Sequence, residues 1–133
     1  MAIRGVRGAI TVEEDELGAI LSATRELLEQ VMKENAAIRI EDIASAFFTL
    51  TEDLSTAYPA LAARQMGWES IPMICSREIP VPEGLPRVVR VLVHWNTDVP
   101  QSEIRHVYLR DAVALRPDLS PTDQSTLSGV EER

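Results

Sequence analysis

The strongest periodic signal in the chain is a helical stripe. Apolar residues recur at Leu17, Ile20, Leu21, Leu27, Leu28, Val31 and Met32, with Thr24 between them. That spacing predicts a helix over 13–34 with one buried face. Thr11 and Glu14 fit a T-x-x-E capping box at its start. Glu13, Glu14, Asp15 and Glu16 put negative charge where the helix dipole favours it, and Lys33 and Asn35 suit the other end.

A shorter period marks the strands. Over 88–97, Val88, Arg90, Leu92 and His94 fall on one face, and Val89, Val91, Val93 and Trp95 on the other. Residues 2–10 predict an N-terminal strand interrupted by Gly5 and Gly8, where glycine marks a bulge or the close approach of another group. Residues 46–51 predict a buried strand, preceded by a short helical turn at 41–44. Pro59 in a first turn and Gly67 just past the end bracket a second helix within 55–66. Ile71–Cys75 reads as a short strand, and Pro80, Pro82, Gly84 and Pro86 as a loop. Residues 101–116 carry both strand-like and helical signals. From Pro117 onward the periodicity is lost, which predicts one domain over 1–119 and a mobile tail over 120–133. The pattern therefore reads as two main helices interspersed with several strands.

Composition narrows the function classes. The chain has 133 residues and a net charge of -8, with 13 Lys+Arg against 21 Asp+Glu. This balance argues against nonspecific nucleic-acid binding, which needs a basic face. No apolar run approaches a membrane span, and the opening residues lack the h-region of a signal peptide. Cys75 is the single cysteine, so neither a disulfide framework nor a Cys/His metal site is expected. The expectation is a soluble cytoplasmic protein.

Nucleophile and phosphate-loop signatures are absent: no G-x-S-x-G, Walker loop, G-x-G-x-x-G or H-E-x-x-H occurs. Cys75 can form a nucleophilic pair only if it meets His94 or His106 in space; otherwise it is a small hydrophobe. Trp68 and Trp95 read as core or interface anchors. The unusual residues are arginines. Arg90 lies mid-strand among valines, and Arg7 lies between Val6 and Gly8. Such a charge is costly unless paired or facing a polar cavity. Two readings stay open: pairing with a carboxylate such as Glu52 or Glu78, or convergence on an anionic ligand, which suits arginine's permanent charge and planar fork. Glu78 opens the proline-rich loop, and Tyr108 offers a hydroxyl. Arg64, Arg105, Arg110 and Arg116 read as surface charges, with Arg116 placed where the ordered chain gives way to tail.

Together these segments resemble one family. They are I-R-G-V-R-G-A-I-T-V-E-E-D at the start, Y-P-A-L-A-A-R followed by G-W, P-x-x-C-x-x-E, R-V-x-R-V-L-V, and T-D-V-P-Q-x-x-I-R-H-V-Y-L-x-x-A-V-x-L-R-P-D-L. Their order resembles the monofunctional chorismate mutases of the AroH class over about 3–119. The resemblance implies a pericyclic conversion of chorismate to prephenate without cofactor or metal. It also implies an α+β fold, a mixed sheet packed with two main helices on one side, assembled as a homotrimer, a pseudo-α/β-barrel with sheets around the threefold axis, helices outside and active sites between subunits. By resemblance, Arg7 and Tyr108 bind a substrate carboxylate, and Arg90 sits by the ether oxygen. Glu78 and Cys75 hydrogen-bond the ring hydroxyl, Tyr58 and Ala60 line the cleft, and Arg64 guards its mouth. Leu115 and Arg116 come from a C-terminal segment that orders over ligand.

The chain departs from the family pattern at two positions. Tyr58 carries a hydroxyl where the family often has a plain aromatic, and Leu61 stands where some members have a lysine. Two rival readings remain: a trimeric deaminase of the reactive-imine type, gripping a carboxylate with Arg105, and a noncatalytic trimeric module that binds a small dicarboxylate.

Overall fold

The computed structural model describes residues 2–116. The predicted tail at 120–133 lies outside the described residues. In chain order the elements are β1 (Ile3–Thr11), α1 (Leu17–Glu34), β2 (Ile43–Leu50), α2 (Pro59–Gln65), β3 (Met73–Arg77), β4 (Val88–Asn96) and β5 (Val107–Leu109). Short 3-10 turns cover Ile40–Asp42, Gln101–Glu103 and Arg110–Leu115, so the ambiguous 101–116 segment is two such turns around a strand. The five strands form one sheet in the order β3-β2-β4-β1-β5. Pairings β1–β4 and β2–β4 are antiparallel, and β1–β5 and β2–β3 are parallel, which makes the sheet mixed.

Both helices lie on one side. Ile20, Ala23, Thr24, Leu27, Leu28 and Val31 form the buried face of α1. They pack with Val6, Ile10, Phe48, Val89, Val91, Val93 and Trp68 in the main core. The alternation read from β4 holds: Val89, Val91, Val93 and Trp95 are buried, while Arg90, Leu92 and His94 are half-buried on the other face. Gly8 explains how α1 lies so close. A Cβ there would stand 3.0 Å from a Leu27 methyl and 3.2 Å from one of Val91, so a side chain would push the helix off the sheet.

Two expected boundaries move. The Thr11–Glu14 capping box does not form, because Thr11 remains in β1, paired with Val88. Glu16 caps α1 instead, its carboxylate accepting from the Gly18 and Ala19 amides at 3.1 and 2.9 Å. Asp15 reaches across to the α2 side, accepting from the Ser55 and Thr56 amides at 2.8 and 3.1 Å and from both hydroxyls. Strand β3 starts two residues later than Ile71, because the Ile71 amide closes a turn onto Trp68 O at 3.1 Å and pairing begins with Pro72 O. Helix α2 ends as expected: Gly67 adopts φ 101°, and the Trp68 and Gly67 amides donate back to Ala63 O and Arg64 O.

Candidate active site

Register decides which side chains share the face that no helix covers. Leu92 pairs with Arg7 and with Phe47, and Arg90 pairs with Ala9 and Thr49. Tyr108 pairs with Ala9 on the other flank of β1. Residues directly opposite in a ladder point to the same side. Arg7, Arg90, Tyr108, Thr49 and His94 therefore share the open face with Phe47 and Ile74, two apolar side chains left 44% and 60% exposed.

Glu78 joins this face from the start of the loop after β3. Its amide donates to Leu50 O at 2.8 Å, continuing the sheet by one residue. Its carboxylate accepts from the Thr49 hydroxyl at 2.8 Å and lies 3.3 Å from Arg90 Nε. The carboxylate expected for Arg90 is thus Glu78, and Glu52 is exposed elsewhere. The contact is a charge pair without hydrogen-bond alignment. Arg90 Nε is buried and has no hydrogen-bond partner; Trp68 Nε1, in the core, is the other such side-chain atom among the described residues. Arg7 forms no ion pair among the described residues, and its side chain is exposed. Its backbone amide donates to His106 Nδ1 at 3.0 Å. Tyr108 and Leu115 pack with Leu85 over Ala9, Val88 and Ala112, a small second core that seats the 110–115 turn beside the arginines.

The remaining candidates lie elsewhere. Cys75 pairs with Phe48, whose side chain points into the helix-side core, so the thiol faces away from Arg90. It lines a cavity of about 330 Å³ together with Tyr58, Thr56, Leu54 and Arg77. Arg77 closes one wall, donating to Thr51 O and Leu54 O at 2.8 and 2.7 Å. Tyr58, just before α2, is 71% exposed, Ala60 is buried under the first turn, and Arg64 is exposed on the last. Arg116 lines a second cavity, of about 520 Å³, with Tyr108, Arg105, His106 and Glu34.

No Cys–His pair forms. His94 contacts Ser45 at 3.0 Å and Phe47 edge-on, on the opposite face from Cys75, and His106 lies beyond β1 on the far side of the sheet. One copy of the chain thus brings Arg7, Arg90, Glu78, Tyr108 and Leu115 to one face and leaves Cys75 and Tyr58 on the other.

A family model described as chorismate mutase type I matches residues 3–119. The chain belongs to this family. Relatives of the type I chorismate mutases include Chorismate mutase AroH of Thermus thermophilus, 58% identical over 88% of this chain and 96% of its own length. Chorismate mutase AroH of Bacillus subtilis is 45% identical over 96% of this chain and 100% of its own. A solved chorismate mutase from Clostridium thermocellum superposes with a TM-score of 0.80 at 42% identity, covering 83% of this chain and 97% of that one. The α+β fold with a five-stranded mixed sheet and two main helices is the one this family uses.

Thr49 of this mutase's arginine face went unmarked in the sequence, and His106 was considered only as a partner for Cys75. Thr49 gives no signal on its own, since only the β2–β4 register puts it beside Glu78. His106 had a signal in its place between Arg105 and Val107 at the start of a strand. Its partner, the amide of a residue 99 positions away, is a product of the fold.

Proposed function

We propose that this chorismate mutase converts chorismate to prephenate in a cleft built by two copies of the chain. The observation that carries the placement is the buried Arg90 Nε, a fixed cationic donor 3.3 Å from Glu78 and aligned with no acceptor. A buried donor left unpaired costs about 1–3 kcal/mol. A ligand oxygen placed before it removes that cost and gains the charge.

The reaction suits such a group. In chorismate the ring C–O ether bond breaks as the enolpyruvyl methylene bonds to the ring. The electrons move around one six-membered array, and no proton, metal or external electron is needed. A protein can hold the folded conformer and can stabilise charge that develops on the ether oxygen. Arg90 takes the second role, on a strand flanked by buried Val89 and Val91, so it needs no reorganisation. Arg7 and Tyr108, on neighbouring strands of the same face, grip a carboxylate. Glu78, oriented by Thr49, and the Cys75 thiol accept or share the ring hydroxyl. Tyr58 and Ala60 form the wall, Arg64 the mouth, and Leu115 and Arg116 the cover.

Two features support a cleft between copies. Cys75 and Tyr58 cannot meet Arg90 within one chain, because the sheet lies between them. The open face also carries Phe47 and Ile74 in contact with solvent, which association would bury. A homotrimer with its sheets around the threefold axis satisfies both, setting the β3 edge of one copy against the arginine face of the next. No helix among the described residues is long and apolar enough to cross a membrane, and a cytoplasmic location fits the pathway enzyme.

Loss of chorismate absorbance with purified protein tests the activity, and no turnover at micromolar enzyme overturns it. Mixing tests the shared cleft. Arg90→Ala and Cys75→Asp are each expected to be inactive as homotrimers. Refolded together they are expected to regain activity, because some clefts then combine the two intact halves. A mixture as inactive as its components overturns the shared cleft.

A further inference from the structure

The edge of β1 toward β5 is only partly covered by a strand. Pairing with β5 starts at Gly8, which faces Val107, and runs to Ile10. Upstream, Gly5 and Arg7 present their amides to the same edge with no strand opposite. Side chains fill the gap. Gln101 accepts from the Gly5 amide at 3.0 Å and donates to Gly5 O at 2.7 Å. His106 Nδ1 accepts from the Arg7 amide at 3.0 Å. An amide can only donate, so this bond requires a bare Nδ1 and a neutral ring carrying its proton on Nε2.

We propose that His106 is a positioning residue for Arg7, its neutral ring fixing the backbone from which Arg7 reaches the substrate carboxylate. The proposal rests on the reading of Arg7 as that carboxylate's ligand. A long arginine side chain loses rotamer freedom when it binds, and a mobile backbone beneath it adds to the loss. The ring acts here as a one-atom strand. It anchors β1 one residue ahead of the point where β5 takes over, at the residue whose guanidinium must be held.

The surroundings favour the neutral ring. Burial in the crevice, and then the Arg7 charge, push the His106 pKa below the usual histidine value. Arg105 and Tyr108 of its own segment, Glu34 of α1, and Arg116 line the same cavity, and the Arg7 charge acts on the ring from β1. Glu34 is the single carboxylate in that set, against three arginines. Protonation of Nδ1 would break the bond to the Arg7 amide and set two cations side by side.

Kinetics of His106→Asn, His106→Leu and Arg7→Ala test this, together with nitrogen-15 shifts of the His106 ring in the free enzyme. The Asn carbonyl oxygen can stand where Nδ1 stands, whereas Leu fills the space without an acceptor. His106→Leu is expected to raise KM by about tenfold, the upper end for one net hydrogen bond, with a smaller change in kcat. His106→Asn is expected to restore KM to within about twofold on the same scale. Wild-type KM is expected to rise as pH falls below the usual histidine range, and that of His106→Asn to stay flat. The ring shifts are expected to show the Nε2–H tautomer.

A protonated Nδ1 at neutral pH, or an unchanged KM in His106→Leu, overturns the proposal. So does a KM in His106→Asn as poor as in His106→Leu. If His106→Leu does not fold, His106→Asn and the ring shifts still decide. Wild-type kinetics in Arg7→Ala would instead overturn the role of Arg7, and the tautomer would be unaffected by that failure.

Discussion

The same strands build two unlike surfaces. On the helix side, Val6, Ile10, Phe48, Val89 and Val93 are fully buried, and every contact they make is already present in one chain. On the open side, one residue along each strand, stand Arg7, Thr49, Arg90 and His94 with Phe47 and Ile74 exposed among them. The pleat separates the two tasks, since a side chain on one face has no steric claim on the other. The covered face is closed and supplies stability. The open face keeps a buried donor without an acceptor and apolar side chains without cover, so its interactions are completed only by what binds there.

Substitutions that tell rate from stability break or sharpen this contrast. Phe48→Ala, on the covered face, is expected to cost about 3–5 kcal/mol in denaturant unfolding, the range for a large buried aromatic. Its folded fraction should keep kcat. Replacing Arg90 with Ala, or with the neutral isostere citrulline, is expected to lower kcat by about 10²–10³, the range for one preorganised donor. The unfolding midpoint should fall less than in Phe48→Ala, because Nε leaves no hydrogen bond behind and only its charge pair with Glu78 is lost. A large stability loss with intact turnover for Arg90→Ala would reverse the assignment of the two faces.

The smallest expected effect lies off both faces. Asp15 is held below the usual carboxylate range, first by the Ser55 amide and then by its bonds to the two hydroxyls and the Thr56 amide. The unfolded chain takes up this proton first as pH falls. The clasp therefore stabilises fully above the usual Asp value, and its contribution is lost as pH drops through the lowered folded value. In Asp15→Asn the acid limb of the stability curve is expected to be shallower, with turnover at neutral pH unchanged. An unaltered acid limb would show that the clasp contributes nothing.

Alternation was enough to read the faces of β4, because a period of two needs no knowledge of neighbours. It placed Arg90 opposite the core valines correctly, and the cost of an unpaired arginine there offered Glu52 or Glu78 as its partner, of which the fold supplies Glu78. The start of α1 was misread because T-x-x-E is a local pattern, while Thr11 answers to a ladder with Val88 and to the Asp111 amide, which it accepts at 3.2 Å. Site geometry was less legible. Whether Cys75 or its neighbour Ser76 faces Arg90 depends on the β2–β3 register, and no residue type near it fixes that register. The resemblance grouped Cys75 with Arg90 by role. The sheet separates them in one chain, a separation that no local pattern of residue types displays.

The strand order has a consequence for how the molecule is made. β1 is the first described strand, yet its two neighbours, β4 and β5, begin at Val88 and Val107. At synthesis rates of roughly 5–20 residues per second, β4 follows only after about 4 to 15 seconds and β5 after about 5 to 19 seconds. Until then both of its edges are open to other nascent chains. Gly5 and Gly8 make it a poor strand by itself. The glycine that lets α1 lie close in the finished protein thus also keeps the waiting segment from pairing too soon.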